Sequence, residues 1–366
     1  MEIDNELIDS FRDNVNSNSD FVYNIYKNVD NKNQWSVICS CMDWISVSVN
    51  FLSNKKEFSH NIDIRVMEIF SIISSVDIII ESVTQLYRVF FCTTKGPFDG
   101  HKQIFLENQL NLSDDDYFKE LRAMFGAHPV NLKHKNQTKW FASWPHDSFK
   151  SNNNIFEIRL YSNEIGVEDL CFGINIKEIE QYLFKYYLYL KTINDEIDKQ
   201  FISYCQSYKN ITINNDKSII ENLKILQSES VKRFNNDYYK SSIDELLLLF
   251  STTFENYLLV EEQEYKKELC KVIDELFYNL QNMILADLVN DKILNPDYPY
   301  QKIGYSISKL YTYDFDKNLE PLFNFHMKSL DDFSGNRYEF NNSKSKSEIR
   351  LKMKMMLYRY NINGFS

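Results

Sequence analysis

Apolar residues recur every three or four positions along most of this chain. Trp35, Ile38, Met42, Ile45, Val49 and Leu52 form one such stripe and predict a helix over 35–52. From Ile62 to Phe91 two stripes run side by side. Val66, Ile69, Ile73, Val76, Ile80, Val83 and Tyr87 make the first; Ile72, Ile79, Leu86 and Phe90 make the second. A helix apolar on two faces packs on both, so 62–92 is expected to run through the middle of a bundle. A third long helix is expected over 176–205. It opens on Asn175 with Glu178 behind it, and its core stripe runs from Ile179 through Leu183, Tyr186, Leu190, Ile193 and Ile197 to Phe201.

Between 139 and 176 the period drops to two. Phe156, Ile158 and Leu160 alternate with Glu157, Arg159 and Tyr161, and Leu170, Phe172, Ile174 and Ile176 alternate in the same way. A small antiparallel element fits, turning at Asn163–Val167, with Trp140, Phe141 and Trp144 as packing anchors. Beyond Asn210–Asp216 (NITINND) the helical period returns at about 217–234, 241–260 and 262–289. Asn295–Tyr300 (NPDYPY) turns the chain. Segments at Tyr305–Tyr313 and near Leu319–Leu330, and the C-terminus, complete an all-helical second half. The expected fold is therefore mainly α. An up-and-down helical bundle over 1–208 carries a small antiparallel β insertion at about 139–176, and a second all-helical region follows over 217–366.

Composition supports that class. Gly (8) and Pro (6) are scarce, with none in 1–95, so helices can run long. A hydrophobic fraction of 43% can fill a substantial core. The net charge of −11 argues against a protein that coats nucleic acid over its whole surface. That charge is uneven. Lys344, Lys346, Arg350, Lys352, Lys354 and Arg359 stand against Glu348 alone in 341–366, a net +5, which leaves −16 for the remainder. Such a basic tail can meet either a phosphate backbone, as RNA-binding residues, or an acidic face of the same protein.

Six cysteines sit in apolar surroundings without zinc-ligand spacing, the N-terminus lacks the apolar core of a signal peptide, and Asp77 and Glu81 break the best membrane-length run. Reduced thiols in a cytoplasm, with no membrane partner, are the expectation.

Few residues suggest chemistry. The glycines are scattered, so no phosphate-cradling loop forms. There is no His-Glu-x-x-His metal motif and no nucleophile elbow. Asp114, Asp115 and Asp116 follow Ser113 at the start of a helix, where acids oppose the positive end of the dipole; neither metal nor cofactor is expected. His60, His101, His134, His146 and His326 have no motif partner. What remains is Glu120–Leu132 (ELRAMFGAHPVNL), where five residues separate Arg122 from His128. Phe118, Leu121, Arg122 and Phe125 share one helix face, which puts Arg122 at the border of a buried stripe. Gly126 is expected to end the helix, and Pro129 to keep His128 out of helical geometry. A histidine near neutral pKa can move a proton, and a guanidinium can hold charge on phosphate oxygens. The alternative is structural, with Arg122 on the carbonyls of its own helix and His128 capping the turn.

An arginine and a histidine spaced in this way at a helix end resemble the signature of HEPN-domain ribonucleases. The order of segments is similar to that of a group of uncharacterised bacterial HEPN-like proteins. Those segments are Trp35–Ile45, the long Ile62–Phe91 helix, Arg-x5-His, a strand pair, a long helix and Gly304–Leu310 (Gly-Tyr-x-Ile-x-x-Leu). The likeness covers about 30–205, and 295–330 loosely. It departs at Ala123, where the family often has a polar residue, and at Val130, where some family toxins have tyrosine. The resemblance implies a metal-independent endoribonuclease that uses 2′-hydroxyl attack and leaves a cyclic phosphate. Arg122 and His128 would be catalytic, a homodimer would bring two pairs into one cleft, and the context would be a toxin or antiviral effector with an inhibitory protein partner. The competing reading is a non-catalytic helical binding or regulatory module.

Overall fold

The computed structural model describes residues 3–55, 58–106, 111–127, 132–133, 139–144, 155–254, 257–312 and 320–364. The chain is mainly helical with one small antiparallel sheet, and it divides into two compact units, 1–202 and 203–366.

The first unit opens with α1 (Glu6–Ser17) and α2 (Ser19–Tyr26), then the long pair α3 (Gln34–Ser53) and α4 (Ile62–Phe90). Asn33 caps α3 by accepting from Ser36 N, and Asn61 caps α4 by accepting from Asp63 N and Ile64 N. Both α4 stripes are buried, Ile69, Ile73, Val76 and Val83 on one side and Ile72, Ile79, Leu86 and Phe90 on the other. α4 is thus the central helix, packed on α3 and on α6 (Ile176–Leu188). Gln34–Ser53 is also long and apolar enough to cross a membrane by length and composition. No other described helix is, and its Ile38, Met42, Ile45, Val49 and Leu52 are buried inside the bundle.

α5 (Asp114–Arg122) begins at Ser113, whose Oγ accepts from Asp116 N and donates to the Asp116 carboxylate. It does not stop at Gly126 in a simple cap. The chain widens into a π turn over Ala123–Ala127. The sheet is a four-stranded antiparallel meander of β1 (Leu132–Lys133), β2 (Lys139–Ser143), β3 (Ile155–Ser162) and β4 (Leu170–Asn175). Phe156 opposes Ile174 and Leu160 opposes Leu170 in register. The expected strand pair is the β3–β4 half of this sheet. Trp144 stacks on Phe156 at 5.2 Å and packs on Phe125 at 5.2 Å, so the tryptophan anchors the sheet against the π turn.

The helix expected over 176–205 is two helices, α6 and α7 (Leu190–Lys209). At Tyr189 the ladder tightens, with Tyr189 N bonded to Tyr186 O. Tyr187 OH donates to Asp4 O and accepts from Ile8 N, which ties α6 to the start of α1.

The second unit holds α8 (Ile219–Arg233), α9 (Asp237–Phe250), α10 (Leu259–Gln281), the short α11 (Asp291–Leu294), α12 (Tyr305–Thr312), α13 (Glu320–Phe333) and α14 (Lys346–Asn363). A second π turn, Tyr300–Gly304, leads into α12. The helix expected over 241–260 ends ten residues early. Glu262 and Lys266 reach back to take Phe254 N and donate to Thr252 O, which satisfies the backbone of the break. Arg233 is wholly buried, its guanidinium donating to Tyr208 O, Ile211 O and Leu280 O and pairing with Glu229.

Candidate functional site

Arg122 is the last residue of α5, held there because Tyr117, Phe118 and Leu121 bury the inner face of that helix. Its Nη1 donates to Asp77 Oδ2 at 2.8 Å. Asp77 stands on α4 beside the fully buried Val76, so the carboxylate is carried by the central helix of the bundle. Asp77 is 19% exposed and the arginine side chain 42% exposed. The guanidinium is therefore pinned on one side and open to solvent on the other. Its planar fork has five N–H donors, and among the described residues Asp77 is its partner. An anion approaching from solvent can share it without breaking the pair.

His128 lies outside the described residues, as do His134 and His146. His60 and His101 are exposed, and His101 Nδ1 lies 3.5 Å from Lys185 Nζ. His326 is buried, with Nδ1 3.1 Å from Ser306 Oγ; burial, and secondarily Lys309, lowers its pKa.

The three aspartates of α5 divide their work. Asp114 is buried, and its carboxylate accepts the backbone N–H groups of Gln103, Ile104 and Phe105, which folds the preceding loop onto the helix start. Asp115 accepts both Tyr182 OH and Tyr186 OH at 2.7 Å. Asp116 serves the cap. Among the described residues no group of three His, Cys, Asp or Glu side chains is arranged to hold a metal ion.

The six cations of the C-terminal segment do not line one surface. α14 buries Leu351, Met353, Met355 and Met356, and it buries Lys352 and Lys354 as well. Lys352, 3% exposed, donates to Glu339 O and Ser343 Oγ. Lys354, 5% exposed, donates to Leu294 O and Asn295 Oδ1 and lies 3.6 Å from Glu245. Burial lowers the pKa of both amines. Arg350 is bidentate on Glu245, and Arg359 pairs with Glu261 at 3.4 Å. Lys344 is exposed and Lys346 half-buried. Of the two partners open to this segment, the acidic residues of its own unit take Arg350, Lys354 and Arg359, and a phosphate backbone cannot reach Lys352 or Lys354.

Glu245 and Glu261 are the residues that sequence reasoning passed over. Glu261 also accepts Arg337 Nη2 at 2.7 Å and Tyr338 OH. Each stands roughly a hundred positions before its basic partner, and no local spacing signals such a pair. No protein-family model matches the chain, and no curated protein or solved structure matches it.

Proposed function

We propose that the first unit is a metal-independent endoribonuclease of HEPN type. The observation that carries this reading is Arg122, a guanidinium anchored by Asp77 at the end of α5 with two fifths of its side chain open to solvent. An anchored, part-exposed cation is suited to hold a phosphodiester and the charge that builds on its non-bridging oxygens. His128, six residues further on, would take the proton from the ribose 2′-hydroxyl. The 2′-oxygen then bonds to phosphorus, the bond from phosphorus to the 5′-oxygen breaks, and a cyclic phosphate remains. The leaving oxygen needs a proton, which His128 of a second copy would supply across a homodimer cleft. An activity of this kind suits a toxin or antiviral effector held in check by a protein partner.

A second reading is favoured by the same ion pair. If Asp77 holds Arg122 only to join α4 to α5, the unit is a non-catalytic helical binding or regulatory module. Incubation of the wild-type chain and the His128→Ala variant with total RNA in excess chelator separates the two. Cleavage by the wild type that is lost in the variant supports the nuclease. Equal cleavage by both, or none by either, supports the binding module.

A further inference from the structure

The second unit contains a cavity of about 410 Å³ between the Asn295–Tyr300 turn, α12 and α14. This is within the range of small-molecule sites, about 300–1,000 Å³. Its walls include three tyrosines, Tyr298, Tyr300 and Tyr311, together with Ile307. Its polar groups are Asn295, Asp297 and Lys354.

The way Tyr300 is held is unusual. It opens the π turn that ends at Gly304, and a Cβ on Gly304 would lie 2.5 Å from Tyr300 Cδ2. Any other residue at 304 would push that ring away. The bare glycine lets one edge of the ring lie close to the backbone at 304, while the residue stays 72% exposed with the Tyr298 ring 6.4 Å away at an interplanar angle of 31°. A ring seated in this way and left exposed presents a surface on which a planar ligand can stack. The seat also accounts for Gly304 and Ile307 of the Gly-Tyr-x-Ile segment, which the Arg122 site does not involve.

The charges around the cavity select the class of ligand. Arg350 and Lys354 face Glu245, and Lys292 faces Asp297. Asp291, which accepts from Tyr238 OH and Asn295 Nδ2, brings the count to three cations and three carboxylates. A bare anion or cation gains nothing from such a balanced set, whereas a neutral planar ring gains stacking. The Asn295 amide in the wall is fixed on both sides, by Lys354 on its oxygen and by Asp291 on its nitrogen. Asp297, whose Oδ1 accepts from Lys292 Nζ at 2.5 Å while its side chain stays 72% exposed, has acceptor positions left for the N–H edge of a ring.

We propose that this cavity binds one nucleobase, stacked on Tyr300 and Tyr298 and read along its N–H edge by Asp297. Guanine, which presents two adjacent N–H donors to one carboxylate, should bind better than uracil, which presents one. The base can arrive on a free nucleotide or at the end of a single RNA strand, and both share this chemistry. The inference is independent of the ribonuclease reading, since its readout is binding and a mononucleotide has no bond for that activity to cut.

The test is calorimetric titration of the full chain with GMP, UMP and the 2′-O-methyl RNA pentamers UUUUG and UUUUU, which have no 2′-hydroxyl to attack the phosphate. GMP and UMP carry the same phosphate, so a difference between them reports the base. One saturable site is expected, with the guanine ligand at least fivefold tighter than its uracil counterpart. Tyr300→Ala, at an exposed position, should keep the melting temperature and weaken binding about tenfold, the usual effect of one lost stacking ring. Asp297→Asn should erase the preference for guanine. UUUUG binding far tighter than GMP assigns the base to a strand, and equal affinity assigns it to a free nucleotide. The proposal is overturned if no ligand saturates at millimolar concentration, or if Tyr300→Ala binds as the wild type does. A guanine preference unchanged in Asp297→Asn overturns the role given to that carboxylate.

Discussion

Asp77 on α4 and Arg122 at the end of α5 meet in a 2.8 Å ion pair, with the carboxylate largely covered and two fifths of the arginine side chain open to solvent. A part-exposed pair of this kind contributes only about 0.2–1 kcal/mol. A double-mutant cycle with Asp77→Ala and Arg122→Ala, read by urea denaturation, is therefore expected to give a coupling energy below about 1 kcal/mol. A coupling of about 3 kcal/mol or more would make the pair a structural clamp and favour the non-catalytic module.

Asp114 is the stronger structural carboxylate of α5. It is buried and accepts three consecutive backbone N–H groups, from Gln103, Ile104 and Phe105. Asp114→Ala leaves those donors without their acceptor, and each hydrogen bond to a charged group contributes about 1.5–3 kcal/mol. A loss of at least about 2 kcal/mol in the urea midpoint analysis is expected. Asp116→Ala, which removes an exposed helix-start acid, should cost less than about 1 kcal/mol.

In the second unit, Glu245 balances two cations of α14. Arg350 grips both its oxygens, and the buried Lys354 lies 3.6 Å away. Glu245→Ala would leave these charges facing each other in a covered site, a loss of about 3–5 kcal/mol. Thermal denaturation should show that drop, and Glu245→Ala combined with Lys354→Met should recover part of it.

Acid sensitivity follows from His326. Burial holds its pKa below the ordinary 6.5, so the folded chain keeps the ring neutral while the unfolded chain protonates it. The unfolded state then binds more protons below about pH 6.5, and stability falls as pH falls from there through the folded pKa. His326→Gln should flatten the pH dependence of unfolding below about pH 6.5. An unchanged slope in that variant would place the acid sensitivity elsewhere.

The helical half of this account was legible because its signals are local. The two stripes of α4 lie within 29 residues, and Asn175 and Ser113 announce their helices by caps read from adjacent positions. The break after Phe250 was not legible. Leu258, Leu259 and Val260 continue an apolar run, and the groups that satisfy the break, Glu262 and Lys266, belong to the next helix. The fate of the basic segment was hidden for the same reason at longer range, because Glu245 lies 105 positions before Arg350. Both π turns were invisible, since a widened turn has no residue signature beyond a glycine such as Gly304. At the Arg122 site, the stripe border was readable from spacing, but the identity of Asp77 as the partner, 45 positions away, was not.

RNA cleavage by the Arg122→Ala variant in excess chelator, with the product ends identified, decides whether Arg122 serves catalysis. Total RNA treated with the wild-type chain should yield fragments ending in cyclic phosphate. Arg122→Ala, with its fold checked by circular dichroism, should cut at least about a hundredfold more slowly, as expected for loss of one charge-stabilising donor. Wild-type fragments with other ends, cleavage undiminished in Arg122→Ala, or no cleavage of any RNA would contradict the account.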